Sequence, residues 1–163
     1  MTPSPSNDER IARLDDNGTP KLIFINMGTN DCFFNDMGSV PTSIDVNDLE
    51  QLDQTKFYPA MYTTVRKIQT AYPNATIIGI IPKWCDGEVD FIKYKNTCEA
   101  IKETYAALAI PTIDLRFCGI NSSNIGSLTI DGHIHPNKLG MKYIARYIVE
   151  QTLNLNLQSA SDK

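Results

Sequence analysis

Hydrophobic and polar residues follow two kinds of pattern along this chain. Three short apolar runs are typical of strands buried in a parallel sheet, and they cover residues 21–27, 75–82 and 111–115. Elsewhere apolar residues recur every three or four positions, the spacing of one helix face, over residues 57–72, 91–108 and 139–153. Strands that alternate with helices predict right-handed βαβ crossovers. We therefore predict an α/β fold with a parallel sheet and helices on both of its faces.

The periodic segments also predict which helical side chains are buried. For the second helix the expected core face consists of Phe91, Tyr94, Cys98, Ile101, Tyr105 and Leu108. For the last helix it consists of Leu139, Tyr143, Ile144, Tyr147, Ile148 and Leu153. Pro136 is expected in the first turn of this last helix, where a missing N–H costs no hydrogen bond.

The length of 163 residues is that of one domain with a core of its own. Residues 1–9 are rich in Pro, Ser and Asn and are predicted to be a disordered tail, residues 10–157 the domain, and residues 158–163 a polar tail. Residues 9–16 are expected to form one or two helical turns. The turn signal Asn17-Gly18-Thr19-Pro20 ends them.

Composition excludes several kinds of partner and leaves others open. A net charge of −4 argues against nucleic acid, and no apolar run approaches the roughly 20 residues of a membrane span. The first residues have neither the basic nor the apolar part of a signal peptide, so the localisation stays unknown. The four cysteines and two histidines lack zinc-type spacing, so we expect no metal and no cofactor, while a Cys85–Cys98 disulfide stays open.

Chemistry is first suggested by the segment Gly28-Thr29-Asn30-Asp31, which follows the first apolar run. In open α/β sheets, ligands bind at the carboxyl ends of the strands. Glycine allows a sharp turn there, and the Asn30 amide offers two N–H donors. An ordinary strand-end turn explains the same four residues equally well.

The second suggestive segment contains both histidines of the chain and precedes the last helix. It reads Thr129-Ile130-Asp131-Gly132-His133-Ile134-His135-Pro136-Asn137. An aspartate next to a histidine can orient the imidazole as a general base. A solvated turn before a helix is the alternative interpretation.

Together, these two segments resemble the SGNH (GDSL-like) hydrolases, a family of esterases, lipases and other acylhydrolases. The resemblance implies a flavodoxin-like three-layer α/β/α sandwich, of which this chain matches the last three strands. It also implies hydrolysis of carboxylic esters by a Ser-His-Asp mechanism on a small-molecule or glycan ester. By the same resemblance, Asn30 donates to the oxyanion hole, His135 is the base and Asp131 orients it.

The sequence departs from the family pattern in two respects. Three residues separate Asp131 from His135 where the family has two, which makes His133 the alternative base. The family's nucleophilic serine lies in a Gly-Asp-Ser segment, and no such segment occurs in this sequence. The chain therefore resembles the C-terminal part of such a hydrolase, and we predict that it is inactive by itself.

Further expectations concern the substrate pocket, the alternative functions and the sheet edge. Gly28, Phe33 and Trp84 follow strand ends and are expected to contact the substrate. A non-catalytic ligand-binding or interaction domain remains the alternative function. A nucleotide- or phosphate-binding function is disfavoured, because no predicted strand is followed by the Gly-rich loop that binds phosphates. Because the family's preceding strand is absent, residues 22–27 are expected to form an open edge through which the chain associates with itself.

Overall fold

The computed structural model describes residues 7–31, 36–41, 46–85 and 91–155. Its elements are, in chain order, α1 (Asp8–Ala12), β1 (Leu22–Asn26), α2 (Phe57–Ala71), β2 (Thr76–Ile81), α3 (Phe91–Ala107), β3 (Thr112–Asp114), α4 (Ile125–Leu128) and α5 (Lys138–Asn154). Short 3₁₀ turns lie at Arg13–Asp15, Val46–Gln51 and Leu115–Phe117.

The three strands form one parallel sheet in the order β1-β2-β3. Ile23 pairs with Ile77 and Ile25 with Gly79, and on the other side of β2, Ile80 pairs with Ile113. The predicted strands are thus confirmed, and their carboxyl ends lie along one edge of the sheet.

Both faces of the sheet are covered by helices. On one face Ile23, Ile25, Ile77 and Ile81 pack with side chains of α1, α2 and α3. On the other, Ile78, Ile80 and Ile113 form a second core with α4 and the inner side of α5. Alternate residues of a strand point to opposite faces, so β2 contributes to both cores. The predicted α/β fold with a parallel sheet is confirmed.

A tyrosine connects α3 to the first strand across the second. The Tyr105 ring lies flat against Gly79, where an added Cβ would come within 2.5 Å of the ring carbons. Its hydroxyl donates to the Ile25 carbonyl at 2.9 Å. Burial raises the pKa of Tyr105, so the phenol keeps the proton that this hydrogen bond needs.

The segment before α2 closes over the first turn of that helix. The N–H groups of Phe57 and Tyr58 donate to the carbonyl oxygens of Asp36 and Met37, at 3.2 and 3.0 Å. The Lys56 ammonium also binds the Asp36 carboxylate, at 2.5 Å. These bonds satisfy N–H groups that a helix start leaves without intrahelical partners. They hold residues 36 and 37 against the first turn of α2.

Four predicted core positions and the position of Pro136 are wrong. Phe91, at the first turn of α3, is exposed, and so are Leu139, Tyr143 and Leu153 of α5. The hydrophobic side chains of α5 that pack against the second core are Ile144, Tyr147 and Ile148. Pro136 lies before the helix, since the Asn137 side chain accepts from the N–H groups of Leu139 and Gly140 and thereby caps it.

The structure adds three observations, on the first helix, on the cysteines and on membrane spans. The first helix begins at Asp8, where the Asn7 side chain caps it. Cys85, Cys98 and Cys118 are buried and form no disulfide, so the Cys85–Cys98 bridge is not present. Among the described residues no helix has the length and apolar character to cross a membrane.

Within the described residues, β1 lies at an edge of the sheet. Its burial alternates, so that Ile23 and Ile25 are buried while Leu22 and Phe24 are 42% and 43% exposed. The predicted open edge is therefore accompanied by an apolar face that α5 does not cover.

Candidate active site

The loop between α4 and α5 is closed at its base by backbone pairing. Thr129 and Pro136 form an antiparallel bridge, and the Ile130 N–H donates to the His135 carbonyl at 2.8 Å. On the helix side of this bridge, the Asn137 N–H donates to the Leu128 carbonyl at 2.9 Å. Residues 130–135 therefore project as a compact loop directly before α5.

The Asp131 carboxylate organises this loop from within. Its Oδ1 accepts from the N–H groups of His133, Ile134 and His135, at 2.9, 2.8 and 3.2 Å. Gly132 adopts the positive φ of +82° that this tight winding requires. The additional residue between Asp131 and His135 is thus taken up by backbone that wraps around the carboxylate.

The same winding brings a histidine ring against the carboxylate. His135 Nδ1 lies 2.5 Å from Asp131 Oδ2. The backbone N–H groups, that of His133 first, hold the pKa of Asp131 well below its usual range. An ionised carboxylate can only accept, so Nδ1–H is the donor, and in the neutral imidazole the lone pair then lies on Nε2. The His135 side chain is 72% exposed, so Nε2 is open to an incoming proton.

Asn137 fixes the loop to the helix that follows. Its Oδ1 caps α5, and its Nδ2 donates to the Ser127 carbonyl at 2.8 Å. Gly140 allows the helix to approach closely, because an added Cβ would lie 2.1 Å from the Leu128 carbonyl oxygen. The sequence analysis had not identified either role, although Asn before a periodic segment is a signal for an N-cap.

Gly28 and Asn30 lie at a different point of the same sheet edge. They line a cavity of about 430 Å³ between the end of β1 and the first turns of α2. Gln54, Lys56 and Thr64 supply further polar lining, and Met61 supplies apolar lining. Gly28 has a φ of +102°, and a Cβ there would come within 2.5 Å of Ile101 Cδ1. Position 28 therefore requires glycine, as predicted, because of its backbone conformation and because no room is left for a side chain.

The predicted site residues do not all share this cavity. Asp131 and His135 are not part of its lining, and neither is Trp84, which is half-buried against both cores. Phe33 lies outside the described residues. The structure joins Asp131 to His135, and Gly28 to Asn30, as two separate pairs, and all substrate contacts stay predictions.

The end of β2 carries a buried lysine that the sequence analysis did not single out. Lys83 is only 7% exposed, and its amino group donates to the Trp84 carbonyl at 3.1 Å. The Tyr94 hydroxyl lies 2.9 and 2.6 Å from the carbonyl oxygens of Pro82 and Lys83. These bonds fix the backbone directly after β2. The sequence signal for this residue was a lysine that directly follows the apolar strand and Pro82.

Metal binding receives no support from the described part of the chain. There, no group of three or more His, Cys, Asp or Glu residues is arranged to hold a metal ion. At the loop itself, an imidazole is paired with a carboxylate.

Comparison with solved structures places the fold. A GDSL-like lipase from Bacteroides ovatus matches 89% of the chain with a TM-score of 0.59 and 23% identity. A peptidoglycan O-acetylesterase matches 91% with a TM-score of 0.65 and 19% identity. An acetyl-xylooligosaccharide esterase from Geobacillus stearothermophilus matches 89% with a TM-score of 0.53 and 17% identity.

The chain spans 59%, 41% and 67% of these three proteins, in the same order. A search of curated protein sequences finds no relative of the chain. The family model described as GDSL-like lipase/acylhydrolase, by contrast, matches residues 4–152, which is nearly the whole chain. The chain therefore belongs to the GDSL-like lipase/acylhydrolase family.

Proposed function

We propose that this chain provides the base, the orienting carboxylate and an oxyanion donor for the hydrolysis of carboxylic esters. The observation that carries the proposal is the contact between His135 Nδ1 and Asp131 Oδ2. In this proposal His135 Nε2 takes the proton of the attacking hydroxyl group and later returns it to the leaving alcohol. Asp131 keeps the ring in the required tautomer and stabilises the imidazolium that forms.

Asn30 is the proposed donor to the oxyanion. Its position after β1, in the lining of the cavity with Gly28, supports this role. An amide N–H that points to the developing negative charge stabilises the transition state more than the substrate. We further propose that Gly28, Phe33 and Trp84 contact the substrate.

The attacking hydroxyl group is proposed to come from a serine outside this sequence, which contains no Gly-Asp-Ser segment. As substrate we propose acetyl esters of glycans. Support comes from two proteins of the same fold, which are named as a peptidoglycan O-acetylesterase and an acetyl-xylooligosaccharide esterase.

The test uses the protein expressed from its own locus, so that any segment accompanying this chain is retained. Acetate release from acetylated xylan and from O-acetylated peptidoglycan should fall by about 100-fold or more in His135→Ala, the loss typical of a general base. The matched variant His133→Ala, in the same loop, should keep most of the activity because only the His133 backbone contacts Asp131.

Equal loss in both variants, or loss in His133→Ala alone, would reject His135 as the base. Binding of the acetylated glycans with no acetate release by the native protein would favour the alternative, a non-catalytic ligand-binding domain.

We also propose that the chain associates with itself through β1. Successive residues of a strand direct their N–H and C=O groups to opposite sides, and β2 occupies one side of β1. The backbone groups of the alternate residues Leu22, Phe24 and Asn26 then point to the free side. A second strand there would satisfy them, and it would shield Leu22 and Phe24 from water.

A further inference from the structure

A second cleft runs along the outer side of α5, away from the cavity that Asn30 lines. Its volume is about 450 Å³. One wall is formed by Phe117 and Gly119, which follow β3, and the other by side chains of α5 from Leu139 to Glu150. The helix rises about 16 Å from Leu139 to Glu150, which is longer than a single sugar ring.

The cleft is lined by three aromatic rings, of which Phe117 and Tyr143 are exposed. Phe117 is 69% exposed and Tyr143 is 43% exposed, and Tyr147 also lines the cleft. The Tyr143 ring lies over Gly119, where an added Cβ would be 3.2 Å from its Cδ1. Gly119 has a φ of +90°, a conformation that favours glycine. Tyr143 is thus supported by the loop after β3 and presents an aromatic surface to solvent.

Charged groups follow the aromatic rings along the same helix. Arg146 Nε binds Glu150 Oε1 at 2.7 Å, which leaves the terminal N–H groups of Arg146 without an ion pair among the described residues. Lys142 also lines the cleft and has no ion pair with any carboxylate that the structure describes. Two cations and one anion give the cleft a local positive charge, in a chain whose net charge is −4.

We propose that this cleft binds an acidic oligosaccharide. Sugar rings present C–H bonds that pack on aromatic faces, while their hydroxyl groups bind polar side chains. A carboxylate on the sugar would be bound by Lys142 and Arg146. Leu139, which lines one end of the cleft, lies four residues after His135 in the sequence. The acidic oligosaccharide is the glycan part of the proposed ester substrate, so this inference rests on the proposed function.

Isothermal titration calorimetry with trigalacturonic acid and with the neutral xylotriose tests the proposal. The wild-type chain should bind trigalacturonic acid more tightly than xylotriose. The double variant F117A/Y143A should lose about 10-fold in affinity or more, since two stacking surfaces are removed. The double variant K142Q/R146Q should weaken binding of trigalacturonic acid and leave that of xylotriose nearly unchanged. These four side chains are exposed or half-exposed, so the variants should fold.

Matched controls are Val149→Ala and Lys138→Gln, which change exposed residues of α5 that do not line the cleft. Both should bind as the wild type does. No binding of trigalacturonic acid, equal binding of xylotriose, or wild-type affinity in F117A/Y143A would each overturn the proposal. A change of molecular mass in F117A/Y143A with unchanged affinity would overturn it too, and would identify the cleft as a contact between copies. Neither sugar carries an ester, so binding is measured independently of hydrolysis.

Discussion

At the scale of single residues, one carboxylate determines the geometry of the candidate site. Asp131 accepts from three consecutive backbone N–H groups and from the His135 ring. The carboxylate thus orients the ring and also shapes the loop that presents the ring. Removing its charge should therefore affect both the base and the fold.

We expect Asp131→Asn to change how stability depends on pH. The pKa of Asp131 is lowered in the folded state, mainly by the N–H of His133. This carboxyl group therefore binds a proton more readily in the unfolded chain than in the folded one. The stabilisation is complete above the unfolded pKa of about 3.9 and is lost as the pH falls toward the folded pKa. In urea unfolding, the wild type should have a higher free energy of unfolding than Asp131→Asn at about pH 6. This difference should become smaller as the pH falls to about 2.

Asp15→Asn is the matched control for that series, because Asp15 is exposed and lies in a short 3₁₀ turn. It should follow the wild-type curve. A constant difference between the wild type and Asp131→Asn at every pH would mean that the carboxylate's charge does not stabilise the loop.

At the scale of elements, the edge position of β1 among the described strands makes the self-association proposal testable. Phe24→Lys should convert the assembly to a monomer, because a charge beside the edge opposes pairing with another strand. Static light scattering over a range of concentrations measures the mass. Phe91→Lys is the control, because Phe91 is also an exposed phenylalanine, at 60%, but lies on α3 and not on β1. A wild-type chain that is monomeric at high concentration would contradict the proposal.

The strands and long helices could be predicted because their patterns are local. Four isoleucines within residues 77–81 leave no polar position, which is typical of a strand covered on both faces. The exposure of Leu139 could not be predicted, because periodicity shows that a helix has an apolar face but not whether a neighbour covers it. Similarly, the contact between Asp131 and His135 depends on the loop's backbone hydrogen bonds, which residue spacing alone does not reveal.

At the scale of the whole molecule, we propose that this chain supplies only part of what ester hydrolysis needs. We expect this chain alone to hydrolyse p-nitrophenyl acetate no faster than free imidazole does at equal concentration. A base and an oxyanion donor without a nucleophile leave only residual catalysis. The control is the protein expressed from its own locus, assayed at the same pH.

A fluorophosphonate probe gives an independent measurement, since it labels activated serines. Stoichiometric labelling of one serine in this chain would disprove the prediction and would identify a nucleophile among its own residues.

The contact between Tyr105 and Gly79 has a consequence for how the sequence can change over time. A side chain at position 79 would collide with the ring, so every residue but glycine is excluded while Tyr105 is present. Replacing Tyr105 by a small residue removes this obstacle but also removes the hydroxyl that binds the Ile25 carbonyl. The order of substitutions therefore matters: position 105 must become small before position 79 can vary, and the reverse path is closed.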